Sequence, residues 1–318
     1  MNAKLRSVAR AIIPQPIRGF VRTCVGSGQA LARQVRQARQ RRQWQSALMK
    51  FVAAPTPYMR SAIPVTADFE SEEISAFAKS IGHTVALHRK FWEWAFIAHH
   101  LERAGVLAPQ RRGLAFGVGS EPLPALFASR GCEIVATDGP SDVVTPGWQA
   151  TGQYAADKEQ LYHGHIIDRG TFDRLVSFET CDMNAIPAHL RNFDFCWSAC
   201  SLEHLGNLEA GMEFVVNSIK CLKPGGVAVH TTEFNLSSPT NTLTEGPTCI
   251  YRKRDVEALK ARLTTAGHDV LPLPIVIGPT PTDTHFDLPP FKHDPHLKLR
   301  LSDYICTSYG LVVRKALD

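Results

Sequence analysis

From about residue 112 the chain alternates short apolar runs with stretches of helical periodicity. The apolar runs predict strands over 113–116, 133–137, 175–178, 193–198 and 226–232. The spacing between them predicts helices over about 122–130, 155–161, 206–222 and 253–267. Such a βαβ rhythm builds a parallel sheet covered on both faces. Two further apolar runs, 269–277 and 304–314, are separated only by a Pro- and His-rich stretch. Without a helix to cross over, they are expected to pair antiparallel and close one edge. Upstream, helices are expected over 69–81 and 85–104. The second holds Phe91, Trp92, Trp94, Ala95, Ile97 and Ala98, a density that implies burial on more than one side. Gly105 stops it. Residues 26–52 also read as a helix, and Pro55, Pro57 and Pro64 mark a linker behind it. No internal repeat and no low-complexity block occurs.

Charge separates the chain into two parts. Residues 1–67 contain twelve Lys or Arg and no acid; the first is Asp68. The net charge of +5 therefore hides a body of net −7. In helix 26–52, Leu31, Val35 and Ala38 share a face, while Arg33, Arg36, Arg39, Arg41 and Arg42 crowd the rest. This pattern suits peripheral contact with an anionic membrane, or a solvated extension. Nucleic acid is disfavoured, because Trp44 is the lone aromatic near the arginines. An Arg-rich, acid-free start is also compatible with a mitochondrial presequence. No run approaches the roughly 20 apolar residues of a membrane span. Eight scattered cysteines without a C-x-x-C pair read as free thiols in a reducing compartment, hence a cytoplasmic expectation.

Candidate chemistry begins at Gly113-Leu-Ala-Phe-Gly117-Val-Gly119-Ser-Glu121-Pro122. A strand runs into two glycines one residue apart, and then a helix starts. Glycine permits the sharp turn and lets a ligand approach the backbone, and the helix start offers free N–H groups. The next strand ends at Asp138, 21 residues after Gly117. A carboxylate there can accept hydrogen bonds from both hydroxyls of a ribose, or simply end a strand in a turn. The dinucleotide fingerprint requires a third glycine where Pro122 stands.

Three later segments extend the comparison. They are Cys181-Asp182-Met183-Asn184-Ala-Ile-Pro187, Ser198-Ala-Cys-Ser-Leu202-Glu203-His204-Leu205, and Leu222-Lys-Pro-Gly-Gly226. With these the chain resembles the class I S-adenosylmethionine (SAM) dependent methyltransferases, nearest the group that includes ubiquinone-type enzymes. The resemblance spans about 112–232. It implies SAM as cofactor, with Gly117 and Gly119 in the turn and Asp138 on the ribose. It also implies Asp182 on the adenine amine, Met183 at the ring and Ser198 at the end of the fourth strand. Two positions depart from the pattern. Ala115 stands where an acid usually contacts the methionine amino group, and Glu121 stands at the third glycine, where it is expected to replace that acid. Some ubiquinone-type enzymes carry E-x-x-E-H here for a metal. Cys200 replaces the first Glu, so no required metal is expected.

Three residues near the ends of strands four and five are catalytic candidates: Glu233 at the strand exit, His204 and His230. His204 also reads as a helix cap, and His230 as a satisfied core histidine. His285, His293 and His296 lie in a Pro-rich loop with Asp283, Asp287 and Asp294. Metal-ligand spacing is not evident, and a loop lining the acceptor cleft is the preferred reading. Together these features predict an α/β fold: a doubly wound Rossmann-like sheet of about seven strands, an antiparallel C-terminal pair and an N-terminal helical extension. The expected division is an extension and linker (1–67) and a methyltransferase domain (68–318). Within the latter, 68–108 would form a helical lid, 109–235 the cofactor core and 236–318 the substrate side. The expected reaction is methyl transfer to oxygen or nitrogen of a small-molecule or glycan acceptor. Competing readings are an NAD(P)-dependent oxidoreductase and a degenerate, non-enzymatic membrane-surface module.

Overall fold

The computed structural model describes residues 57–140 and 154–317, together with scattered helical positions between 31 and 48. The chain divides into two compact units, Met1–Ala47 and Leu48–Asp318. In the first, Leu31 and Val35 are exposed helical residues; the rest of the expected 26–52 helix lies largely outside the described residues. The following concerns the second unit. Among the described residues, no helix is long and apolar enough to cross a membrane, and all seven described cysteines are free.

Three helices come first: α1 (Thr66–Phe69), α2 (Glu72–Ser80) and α3 (Arg89–Arg103). Then follow β1 (Arg112–Phe116), α4 (Leu123–Ser129), β2 (Glu133–Asp138), α5 (Arg169–Leu175), β3 (Val176–Thr180) and β4 (Phe193–Ala199). The remainder is β5 (Gly206–Asn207), α6 (Leu208–Lys220), β6 (Leu222–Asn235), β7 (Glu245–Gly246), α7 (Lys253–Thr265), β8 (Asp269–Val270), α8 (Pro281–Thr284), β9 (Lys298–Leu301) and β10 (Tyr304–Arg314). Two single turns of 3-10 helix, Lys158–Leu161 and Leu202–His204, lie between them.

The main sheet runs β3-β2-β1-β4-β6-β10-β8, with β9 also paired to β10. The first five strands are parallel, and β10 is antiparallel to β6, β8 and β9. This is the expected doubly wound sheet with its antiparallel C-terminal pair, enlarged by β9. The strand order reverses between β1 and β4, which opens a crevice at their C-terminal ends. The expected 269–277 strand shrinks to two residues, because Pro272 and Pro274 have no N–H for a ladder. The expected 155–161 helix is a 3-10 turn. Conversely, β6 runs past Thr232 to Asn235, and α5 and β9 were not foreseen.

Helix α3 is apolar on most sides because it is an inner layer. Trp92, Phe96 and Ile97 are fully buried, each side chain contributing about 1.5–3 kcal/mol. The helix can lie close to β10 because Gly310 leaves room: a Cβ there would meet the Phe96 ring at 2.3 Å. Trp92 donates its indole N–H to the buried carboxylate of Asp68 at 2.8 Å. Within the segment expected to cover the cofactor edge as a lid, the first turn of α3 reaches the end of β4 through Lys90, and Ile81 bonds His165 through its carbonyl at 3.0 Å.

Candidate functional site

The glycine loop follows from backbone geometry. Gly117 and Gly119 have φ of +58° and +51°, a region that costs other residues about 1–2 kcal/mol. Space is short as well. A Cβ on Gly117 would lie 2.7 Å from Ser201 Oγ and 3.5 Å from Met183 Sδ, and Ser201 Oγ donates to Gly117 O at 3.1 Å. The loop after β1, the segment after β3 and the turn after β4 therefore meet at one point. Gly117→Ala is expected to lower stability by about 1–2 kcal/mol from the positive φ alone. Ser201→Ala should recover part of any larger loss. Urea unfolding of the single and double variants measures both.

Asp138 ends β2 beside that loop and is buried. Its Oδ2 accepts the N–H of Gly119 and of Ala155, both at 2.9 Å, and Oδ1 accepts that of Gly139 at 2.8 Å. Burial raises its carboxyl, against the pull of these three donors. Asp182 is exposed and accepts the Asn184 N–H at 2.8 Å. Met183 is buried with its sulfur towards Gly117. Gly117, Gly119, Asp138 and Met183 converge, and Asp182 stands at the same edge.

Glu121 is placed differently from expectation. Its carboxylate is buried and accepts the Trp197 indole N–H at 2.6 Å, and burial pushes it up to about 7. It braces the loop against β4. Ser198 and His230 are also displaced from the crevice, because side chains alternate along a strand. The Ser218 hydroxyl donates to Val215 O at 2.8 Å, so it accepts from His230 Nε2 at 3.0 Å. His230 Nδ1 then accepts the Ser198 hydroxyl at 2.9 Å. This chain of bonds ties β4, β6 and α6 together in the core. Burial pushes the imidazole down to about 3, which keeps it neutral. His204 is half-buried in its 3-10 turn and donates Nδ1–H to Pro247 O at 2.7 Å.

Thr231 and Glu233 point to the other face, towards α3, where Glu233 joins a charged cluster with Arg89, Lys90 and Glu93. Glu93 of α3 is fully buried. It accepts from Lys90 Nζ at 2.9 Å, Cys200 Sγ at 3.0 Å, Thr231 Oγ1 at 3.4 Å and the Ser308 hydroxyl. Arg89 lies 3.6 Å from Glu93 and forms a close ion pair with Glu233 Oε1. Lys90 also donates to Ala199 O, at the end of β4, at 3.1 Å. Burial alone would raise the Glu93 carboxyl, but Lys90 and Arg89 outweigh it and bring it down to about 2. At Glu233 burial wins over Arg89, with Glu203 and Glu93 adding to it, and the carboxyl rises to about 7. Two buried acceptors here lack a hydrogen bond, Glu233 Oε2 and Glu203 Oε1. A buried acceptor left in that state costs about 1–3 kcal/mol, so both oxygens call for a donor. The signal was available in the sequence: Arg89, Lys90 and Glu93 interrupt an otherwise apolar helix start, and buried charge is the informative exception.

No family model matches the chain, and no curated protein matches it. Solved structures similar to it include a protein provisionally named sarcosine dimethylglycine methyltransferase from Galdieria sulphuraria. It is 15% identical, covers 71% of this chain and 85% of its own, and has a TM-score of 0.44. Another is phosphoethanolamine N-methyltransferase 2 of Haemonchus contortus with S-adenosyl-L-methionine, 15% identical over 70% of this chain and 53% of its own, TM-score 0.43. A third is the 1,6-didemethyltoxoflavin-N1-methyltransferase of Burkholderia thailandensis with S-adenosylhomocysteine, 16% identical over 83% and 93%, TM-score 0.41. With scores below 0.5 these likenesses do not bear on the chemistry, which rests on the chain's own residues.

Proposed function

We propose that the chain is a class I SAM-dependent methyltransferase acting on an oxygen or nitrogen of a small molecule, a saccharide hydroxyl being one case. The observation that carries this reading is convergence. The glycine turn, Asp138, Met183 and the turn after β4 come from separate stretches and meet at the sheet's switch point. Those residues fit an adenosyl group. Asp138 Oδ1 accepts one N–H against two at Oδ2 and so keeps one acceptor site for a ribose hydroxyl, and Met183 offers an apolar surface to a base. Lys90, beside the end of β4, suits the carboxylate of an amino acid. Bound SAM supplies a methyl already activated by its sulfonium.

The chain's own part is to align and to accept a proton. In-line displacement gains most from orientation, and a hydroxyl acceptor must also lose its proton. Glu233 suits that task. Arg89 holds Oε1, Oε2 is unpartnered, and the carboxyl titrates near neutrality. The first test is binding. Calorimetric titration of the full chain with S-adenosylhomocysteine should show one site per chain, and NAD should show none under the same conditions. Binding of NAD alone would sink the reading. Labelled methyl from SAM, incubated with small-molecule extract, then reports the acceptor.

A further inference from the structure

A second constellation lies where the loop before β9 meets the start of α3. His88, His293 and His296 each offer a ring nitrogen, and the three lie within 4.8 Å of one another. The neighbourhood is built. Asp287 Oδ2 accepts the N–H of Lys292 at 2.9 Å, of His293 at 3.1 Å and His296 Nδ1–H at 2.8 Å, while Oδ1 accepts that of Leu288 at 2.9 Å. One carboxylate therefore shapes the loop and orients an imidazole. Because His296 gives its Nδ1 proton to Asp287, its neutral ring keeps a lone pair on Nε2. That nitrogen has no hydrogen bond among the described residues. A carboxylate behind a histidine in this way is the usual support of a metal-bound imidazole. Backbone bonds fix the third ring: His296 N donates to Leu87 O at 2.7 Å, and Arg89 N to His296 O at 3.1 Å. The rings of His88 and His296 stand 4.7 Å apart, those of His293 and His296 5.0 Å.

From this geometry we infer a binding site for a divalent transition cation of the zinc type, with His88, His293 and His296 as ligands and Asp287 as the orienting carboxylate. Three imidazoles suit such ions, and three protein ligands leave a coordination position for water or another oxygen. His293 is exposed, so that position faces solvent. His88 has one adjustment to make. Its Nδ1 accepts the Lys90 N–H at 3.1 Å, which places the proton of the neutral ring on Nε2. An ion must displace one or the other. The Lys90 N–H is the easier to give up, since helix starts carry free N–H groups in any case. Sequence spacing hid the site, because His88 is remote in the chain from the other two ligands. The site is a different matter from a metal required for methyl transfer.

The test uses the full chain, stripped with a chelator and titrated with Zn2+ in competition with a chromophoric chelator. One ion per chain is expected. His293→Ala and His296→Ala should each abolish that stoichiometry or weaken it at least about tenfold, and Asp287→Asn should weaken it about 10–100-fold. Co2+ in place of Zn2+ should give the visible bands of a nitrogen-ligated ion without a thiolate charge-transfer band. Failure to bind Zn2+, unchanged binding in His293→Ala, or a thiolate band from Cys200 would each overturn the assignment. His293 is exposed, so its replacement decides the matter even where His296→Ala fails to fold. Nucleotide titration is a separate readout, so failure of this site and failure of the methyltransferase reading are distinguishable.

Discussion

Glu233→Gln should lower methyl turnover by about 10²–10⁴-fold, the usual contribution of a positioned general base. S-adenosylhomocysteine should bind the variant as before, because the proposed function puts Glu233, near the end of β6, on the acceptor side. The pH dependence gives a second readout. A base acts only when ionised, and burial raises this carboxyl to about 7. In the wild type kcat/KM should therefore rise with pH through that value and level off above it. In the variant this limb should vanish. An unaltered limb would assign it to another group. The measurement is transfer of labelled methyl from SAM to the acceptor identified in extract, with nucleotide affinity determined by calorimetry alongside.

The second large effect concerns folding. Glu93→Gln keeps the shape of a fully buried side chain but removes its charge from between Lys90 and Arg89. Removing one partner of a buried ion pair costs about 3–5 kcal/mol, because the charge left behind is uncompensated. Urea unfolding at neutral pH should show a loss of that order. The pH behaviour follows from the sign of the shift. The folded-state carboxyl is depressed to about 2 against an ordinary value of 4.5. Its stabilising contribution is complete above the ordinary value and is lost as pH falls towards about 2. The wild type should lose stability over that interval. Glu93→Gln, already without the contribution, should show a shallower acid dependence there.

Much of the scaffold was legible because it is set by local signals. Alternating apolar runs located β1, β2 and β4 to within a residue or so, and β10 in full. The glycine turn and the place of Asp138 beside it could be read because they depend on backbone conformation and on spacing along the chain. What escaped was whatever depends on distant partners. Arg89, Lys90 and Glu93 carry no local signal of their partners, and the cluster forms only when β4, β6 and β10 bring Ala199, Glu233 and Ser308 against them. Ser198 suited a site by motif and His230 by its place near a strand end, yet Ser198 bonds to His230 and His230 to Ser218 in the core, the satisfied core histidine that the sequence also allowed. Glu121 was expected across the loop from a ligand, yet the indole of Trp197, from β4, claims it. His88 shows the same limit, since its neighbours come from the loop before β9, far along the chain.

The antiparallel edge has a consequence beyond closing the sheet. Strand β10 is matched to β6 over nine residue pairs, from Arg314 with Val227 to Cys306 with Asn235. A slip of one residue in β6 would exchange its two faces. It would carry His230 and Thr232 to the α3 side and drive Glu233 beneath α6, among Phe214 and its apolar neighbours. The long ladder thus acts as a ruler. It decides which of two titratable residues of one strand, Glu233 or His230, faces the charged cluster at α3, to which β10 itself supplies Ser308.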